Sequence, residues 1–98
     1  MLTGLLPIGT VVLLKDSTKR VMIMGVVQMQ KEKEKVWDYV GVLYPEGFMG
    51  PDKTFLFNGE QIEKIYALGY QDEEQFDFKE RADKTLAQVR ASEFGEKI

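Results

Sequence analysis

One long apolar block, repeatedly interrupted by glycine and proline, constrains this chain more than any other feature. It runs from Leu5 to Pro51 as LLPIGTVVLLKDSTKRVMIMGVVQMQ, then a charged KEKEK insert, then VWDYVGVLYPEGFMGP. β-branched and aromatic runs of strand length, bounded by turn formers, predict short β-strands joined by tight turns. TVVLL (10–14) lacks alternation, the pattern of a strand covered on both faces. The polar turn 15–18 leads into KRVMIMGVVQMQ (19–30), which predicts a hairpin. Gly25 inside that strand and Gly41 inside VWDYVGVLY (36–44) mark bends, so the sheet is expected to curl towards a small barrel.

Residues 31–35 read as a solvated hairpin tip, and 45–53 (PEGFMGPDK) as a loop carrying Phe48 and Met49. A short strand at 54–57 and a turn at 58–60 follow. Residues 61–70 fit one helical turn followed by a strand, or a single irregular strand ending at Gly69; a last strand through Ile65 to Gly69 is favoured. The clearest helix spans Glu73 to about Glu93. Asp72 is its N-cap, Gln75 stands in capping-box position, and Glu73 and Glu74 suit the positive end of the helix dipole. Phe78, Ala82, Leu86 and Val89 form a stripe at helical spacing, and Gly95 supplies a stop. The fold class expected is α+β: a small, strongly bent antiparallel sheet or SH3-like partial barrel followed by one C-terminal helix. One domain is expected over 1–98, with its β region at 5–70 and its helix at 72–94.

The bulk numbers bound the function. A chain of 98 residues buries roughly two thirds of its unfolded surface, enough for one core. It has no cysteine and no histidine, so disulfides, thiol or imidazole catalysis and Cys/His zinc sites are excluded. Thirteen basic against sixteen acidic residues give a net charge of −3, which speaks against a phosphate-backbone ligand. The opening MLTGLLPIGT lacks a basic n-region and a small-residue cleavage site. The longest uncharged apolar run, 21–27, falls far short of the about 20 residues that span a bilayer. A soluble, cytoplasmic protein without membrane contact is expected.

No chemistry-bearing constellation accompanies the block. Asp38 is the one acid inside an apolar strand; it reads as a carboxylate of raised pKa, as an outward-facing strand residue, or as one paired with Lys35 or Arg20. The acids at 72–80 lack the Asp-x-Asp-x-Asp-Gly pattern of a calcium loop. The glycines form neither GxGxxG nor a P-loop. No catalytic residue, metal or cofactor is therefore expected, and the protein is read as a non-enzyme. The aromatics Trp37, Tyr39, Tyr44, Phe48, Phe55 and Phe57 suit either core duty or a stacking platform. Phe48 and Met49 stand out, because a loop seldom keeps both exposed without a contact. Phe76 and Phe94 lie off the helix stripe, so the helix carries more apolar surface than one face needs. Its first half is expected to pack on the sheet, and its second half, LAQVRASEF, to offer a protein contact.

Leu6–Thr10 (LPIGT), Val12–Lys15 (VLLK), Lys19-Arg20 before Met22 and Ile23, Tyr39-Val40-Gly41, the Tyr44-Pro45-Glu46-Gly47 turn and Gly69-Tyr70 carry a resemblance. Over residues 5–78 the chain resembles a family of small proteins of Gram-positive bacteria known as domain of unknown function 4176. Members lie beside genes of the type VIIb secretion system and its LXG-type toxins. The resemblance implies a cytoplasmic accessory role: a protein-binding adaptor, chaperone or targeting factor for such a toxin. It brings no catalytic residues. An immunity protein and a small-barrel nucleic-acid-binding module are the alternatives. The expected partner is an LXG-type toxin or its small helical accessory proteins, and an open strand edge would also permit a homodimer. The candidate contact residues are Tyr44, Pro45, Glu46, Phe48 and Met49 in the loop, and Phe76, Leu86, Val89 and Phe94 in the helix.

Overall fold

A computed structural model describes residues 4–95, with side chains over 4–91. Five strands, β1 (Val11–Leu14), β2 (Val21–Gln30), β3 (Lys35–Leu43), β4 (Thr54–Phe57) and β5 (Ile62–Ala67), precede one helix, α1 (Glu73–Gly95). The strands form one antiparallel sheet in the order β4-β3-β2-β1-β5. Each strand lies beside its predecessor until β5, which returns to β1. This is the α+β class expected, with the strand order of an SH3-like partial barrel. β4 and β5 remain unpaired edges, so the barrel is not closed.

Chain length explains the curl. Four residues, Asn58 to Gln61, join β4 to β5, and three of them form a 3-10 turn, Gly59–Gln61. Those strands occupy opposite edges of the sheet, which in a flat five-stranded sheet would lie about 19 Å apart. A fully extended connection of this length reaches no more than about 18 Å, and a coiled one reaches much less. The sheet must therefore bend to bring its edges together. It does so at a register shift between Ile23 and Gly25 in β2, as the mid-strand glycine predicts. Val27 adds a second irregularity, with φ at 52°, a conformation rare for a β-branched residue. Gly41 sits where a Cβ would stand 3.0 Å from both the Met22 carbonyl oxygen and the Phe57 ring, so any larger residue would push the neighbouring chain or the ring back.

The core lies on the side of the sheet that faces α1. Val12, Val21, Ile23, Tyr39 and Phe57 pack with Leu5 and Leu6 of the entry segment and with Ala82 of α1. Removing a ring such as that of Phe57, which is fully buried, costs about 3–5 kcal/mol. The entry segment is fixed by long-range hydrogen bonds. Leu6 N–H donates to the Tyr39 hydroxyl at 2.9 Å and Leu5 N–H to Asp83 Oδ1 at 2.9 Å. Burial holds the Tyr39 phenol above its ordinary pKa. Buried Thr10 donates its hydroxyl to the Pro7 carbonyl and accepts Gly69 N–H at 3.1 Å.

Two local expectations are corrected. The last strand spans Ile62–Ala67, three residues earlier than expected at its start and two at its end. Gly69 does not extend it, because the chain there presses on the entry segment: a Cβ on Gly69 would collide with the Ile8 carbonyl oxygen. The helix begins where predicted, with Gln75 N–H donating to Asp72 Oδ1 at 2.9 Å. The capping box is only half made, since Gln75 Oε1 is buried without a hydrogen-bond partner. α1 packs across β2 and β3.

Candidate functional site

Charged and aromatic side chains gather at two places. The first is a clasp between α1 and the sheet. Asp38 in β3 faces Arg90 of α1, with Oδ1 and Nη1 2.8 Å apart, and its Oδ2 accepts Gly59 N–H at 2.7 Å. Asn58 Oδ1 accepts both Asp38 N–H at 2.9 Å and Arg90 Nη2 at 3.0 Å. Arg90 also reaches the Val36 carbonyl at 3.4 Å. The partner of Asp38 is thus Arg90, not Lys35 or Arg20, and the carboxylate is engaged in joining helix, strand and turn.

The second place is built by strand register. Val21 pairs with Leu43, and Tyr44 N–H donates to the Arg20 carbonyl at 3.0 Å, so Arg20 and Tyr44 extend the ladder by one pair. Continuing the β1–β2 register (Val11 with Met22, Val12 with Val21) sets Leu13 beside Arg20, and Leu13 pairs with Lys64. Lys64, Leu13, Arg20 and Tyr44 thus form a row across the sheet. Val21 belongs to the core, so alternation points its neighbour Arg20 to the opposite face. An irregularity between the Val11–Ala67 and Val12–Ile65 pairs leaves Tyr66 as an extra residue in β5. Its ring comes to the same place: Arg20 Cζ stands 5.1 Å from the Tyr44 ring centroid and 5.3 Å from that of Tyr66. Lys64 Nζ lies 4.8 Å from the Tyr66 centroid. These are cation–π distances.

The loop that starts at Tyr44 is anchored here. Lys19 Nζ pairs with Glu46 Oε1 at 2.8 Å; this hydrogen bond, with a smaller contribution from its own backbone N–H, holds the Glu46 carboxyl below its usual range. Gly47 N–H donates back to the Leu43 carbonyl at 2.7 Å, and the Tyr44–Pro45 peptide is cis. Beyond this turn Phe48 is 61% and Met49 44% exposed.

Of the residues singled out from sequence, Tyr44 and Glu46 join the Arg20 cluster, Pro45 is exposed, and Phe48 and Met49 project from the loop. Phe76 is 53% exposed on α1. Leu86 packs against the core, and Val89 is half-buried. The Phe94 side chain lies outside the described residues. Arg20, Lys64 and Tyr66 were not among the sequence candidates; the signal that finds them is the register of β1, β2 and β5. A small apolar notch of about 70 Å³ also opens beside the start of α1, where Ile8, Tyr70 and Phe78 meet. Among the described residues, no group of three or more acidic side chains is gathered to hold a metal ion, and no helix is long and apolar enough to cross a membrane.

The class defined is an α+β protein in which an open, SH3-like sheet carries a C-terminal helix on one face and a cationic, aromatic row on the other. The chain belongs to the family described as domain of unknown function DUF4176, whose model matches residues 5–78. That span holds all five strands and the first turns of α1. No curated protein and no solved structure matches the chain.

Proposed function

We propose that this chain is a non-enzymatic, protein-binding adaptor or chaperone that holds an LXG-type toxin of the type VIIb secretion system in the cytoplasm before export. The observation that carries this reading is the loop 44–50: it is tied down at its base by Lys19 and Arg20, yet it holds Phe48 and Met49 out to solvent. An ordered loop with two large exposed apolar side chains has the form of a contact surface. The secretion-system setting comes from the family resemblance. Its test is co-expression with the N-terminal helical segment, and separately with the C-terminal domain, of an LXG toxin from the same host. The adaptor reading expects co-purification with the N-terminal segment, weakened about tenfold or more when Phe48 and Met49 are both replaced by Ser, with the urea midpoint unchanged. Co-purification with the C-terminal domain alone would make the protein an immunity factor instead.

A further inference from the structure

The ion-paired cations of the sheet and helix have evident internal work: Lys19 pairs with Glu46, Lys79 with Asp83, Lys84 with Glu80 and Arg90 with Asp38. Among the described residues, Arg20 and Lys64 form no ion pair, as several other surface cations do not, but these two share one tyrosine ring, that of Tyr66. Both are nonetheless positioned. The two tyrosine rings lie around the Arg20 guanidinium, and Lys64 lies around one of the same rings. Their charge centres are therefore no more than about 10 Å apart. Tyrosine rings at cation–π distance restrain the side chain before any ligand arrives and leave the N–H donors of the guanidinium without a carboxylate. A planar fork held in this way matches the two oxygens of a carboxylate, and a nearby ammonium adds a second, less directional charge.

We infer that the Tyr44–Arg20–Tyr66 stack, with Lys64, is a receptor for a carboxylate side chain on an acidic segment of a protein partner. This deepens the adaptor reading by giving the chemistry of the partner's contact, since the loop bearing Phe48 and Met49 begins at Tyr44. A nucleic-acid backbone fits less well: it needs a line of cations, whereas the cluster here is built on Arg20 and Lys64.

The test is an NMR titration of the isotope-labelled protein with acetyl-Leu-Glu-Glu-Leu-amide, with the matching glutamine peptide, and with a single-stranded thymidine oligonucleotide. The glutamate peptide is expected to shift the Arg20 Nε–H resonance and the amides of Tyr44, Lys64 and Tyr66, and the glutamine peptide is not. Arg20→Gln should lower affinity for the glutamate peptide about tenfold, the worth of a charge-assisted bond. Arg20→Lys, which keeps the charge without the fork, should recover only part of it. An unperturbed amide spectrum away from these residues shows that both variants remain folded. Equal responses to the two peptides, no response at Arg20, or tighter binding of the oligonucleotide would each overturn the inference. Toxin capture lost in the Phe48/Met49 variant but unchanged in Arg20→Gln would also overturn it while leaving the adaptor reading intact; loss in neither would count against that reading itself.

Discussion

Arg90 and Arg20 are the same residue type in opposite circumstances. Arg90 leaves α1 and meets a carboxylate, a side-chain amide and a backbone carbonyl, all belonging to different parts of this chain. Arg20 leaves the opposite face of the sheet and meets two aromatic rings but, among the described residues, no acceptor. A guanidinium gives up hydration when it is fixed, and it regains that energy chiefly from hydrogen-bonded anions. In the clasp the regain happens within the molecule and stabilises the folded state. In the stack the strongest part of it is left for something else. Arginine is thus used once to hold the helix on the sheet and once to hold a charge ready.

The largest expected effect lies on the clasp. Asp38→Ala removes the anion facing Arg90 and the acceptor for Gly59 N–H together, and is expected to lower stability by about 2–3 kcal/mol in urea unfolding. Arg90→Lys preserves the charge opposite Asp38 but cannot also span Asn58 and the Val36 carbonyl; a loss of about 1 kcal/mol is expected, read the same way. On the other face, Arg20→Gln should cost about 1 kcal/mol or less, the scale of exposed cation–π contacts, while abolishing most of the response to acidic peptide. A large stability loss there would erase the contrast between the two arginines.

The smallest effect is on the loop anchor. Because Lys19 holds the Glu46 carboxyl below its ordinary value of 4.5, the pair's contribution is fully present above that value and is lost as pH falls through the lowered one. Glu46 lies at the surface, so the effect on overall stability is slight. A pH series of unfolding midpoints should show wild type and Glu46→Gln converging as the solution is acidified, with any difference confined to the higher-pH end.

The sequence carries those parts of the molecule that local chemistry decides. Gly25 announces the bend of β2, Asp72 announces the start of α1, and the Asn58-Gly59 turn appears as the 3-10 link, with Asn58 and Gln61 capping each other. Apolar runs rich in β-branched and aromatic residues likewise mark β1 to β4. What is not legible depends on contacts between distant residues. Asp38 and Arg90 lie 52 positions apart, and no periodicity in either element points to the other. β5 stops at Ala67 because Gly69 must lie flat against Ile8, a contact across the sheet and not a property of IEKIYALGY. Tyr66 reaches Arg20 only because β5 slips its register against β1. The loop half of the candidate site, Phe48 and Met49, could be read from composition alone; its charged half needed the register of β1, β2 and β5.

The most direct test is urea unfolding of Arg20→Gln and Arg90→Gln beside the wild-type protein at neutral pH. A midpoint close to wild type for Arg20→Gln and a clearly lowered one for Arg90→Gln, with equal slopes, is the expected result: the fold relies on one arginine and holds the other for a partner. If Arg20→Gln is destabilised as much as Arg90→Gln, the stacked arginine belongs to the architecture, and the helix-free face loses its claim to be a binding site.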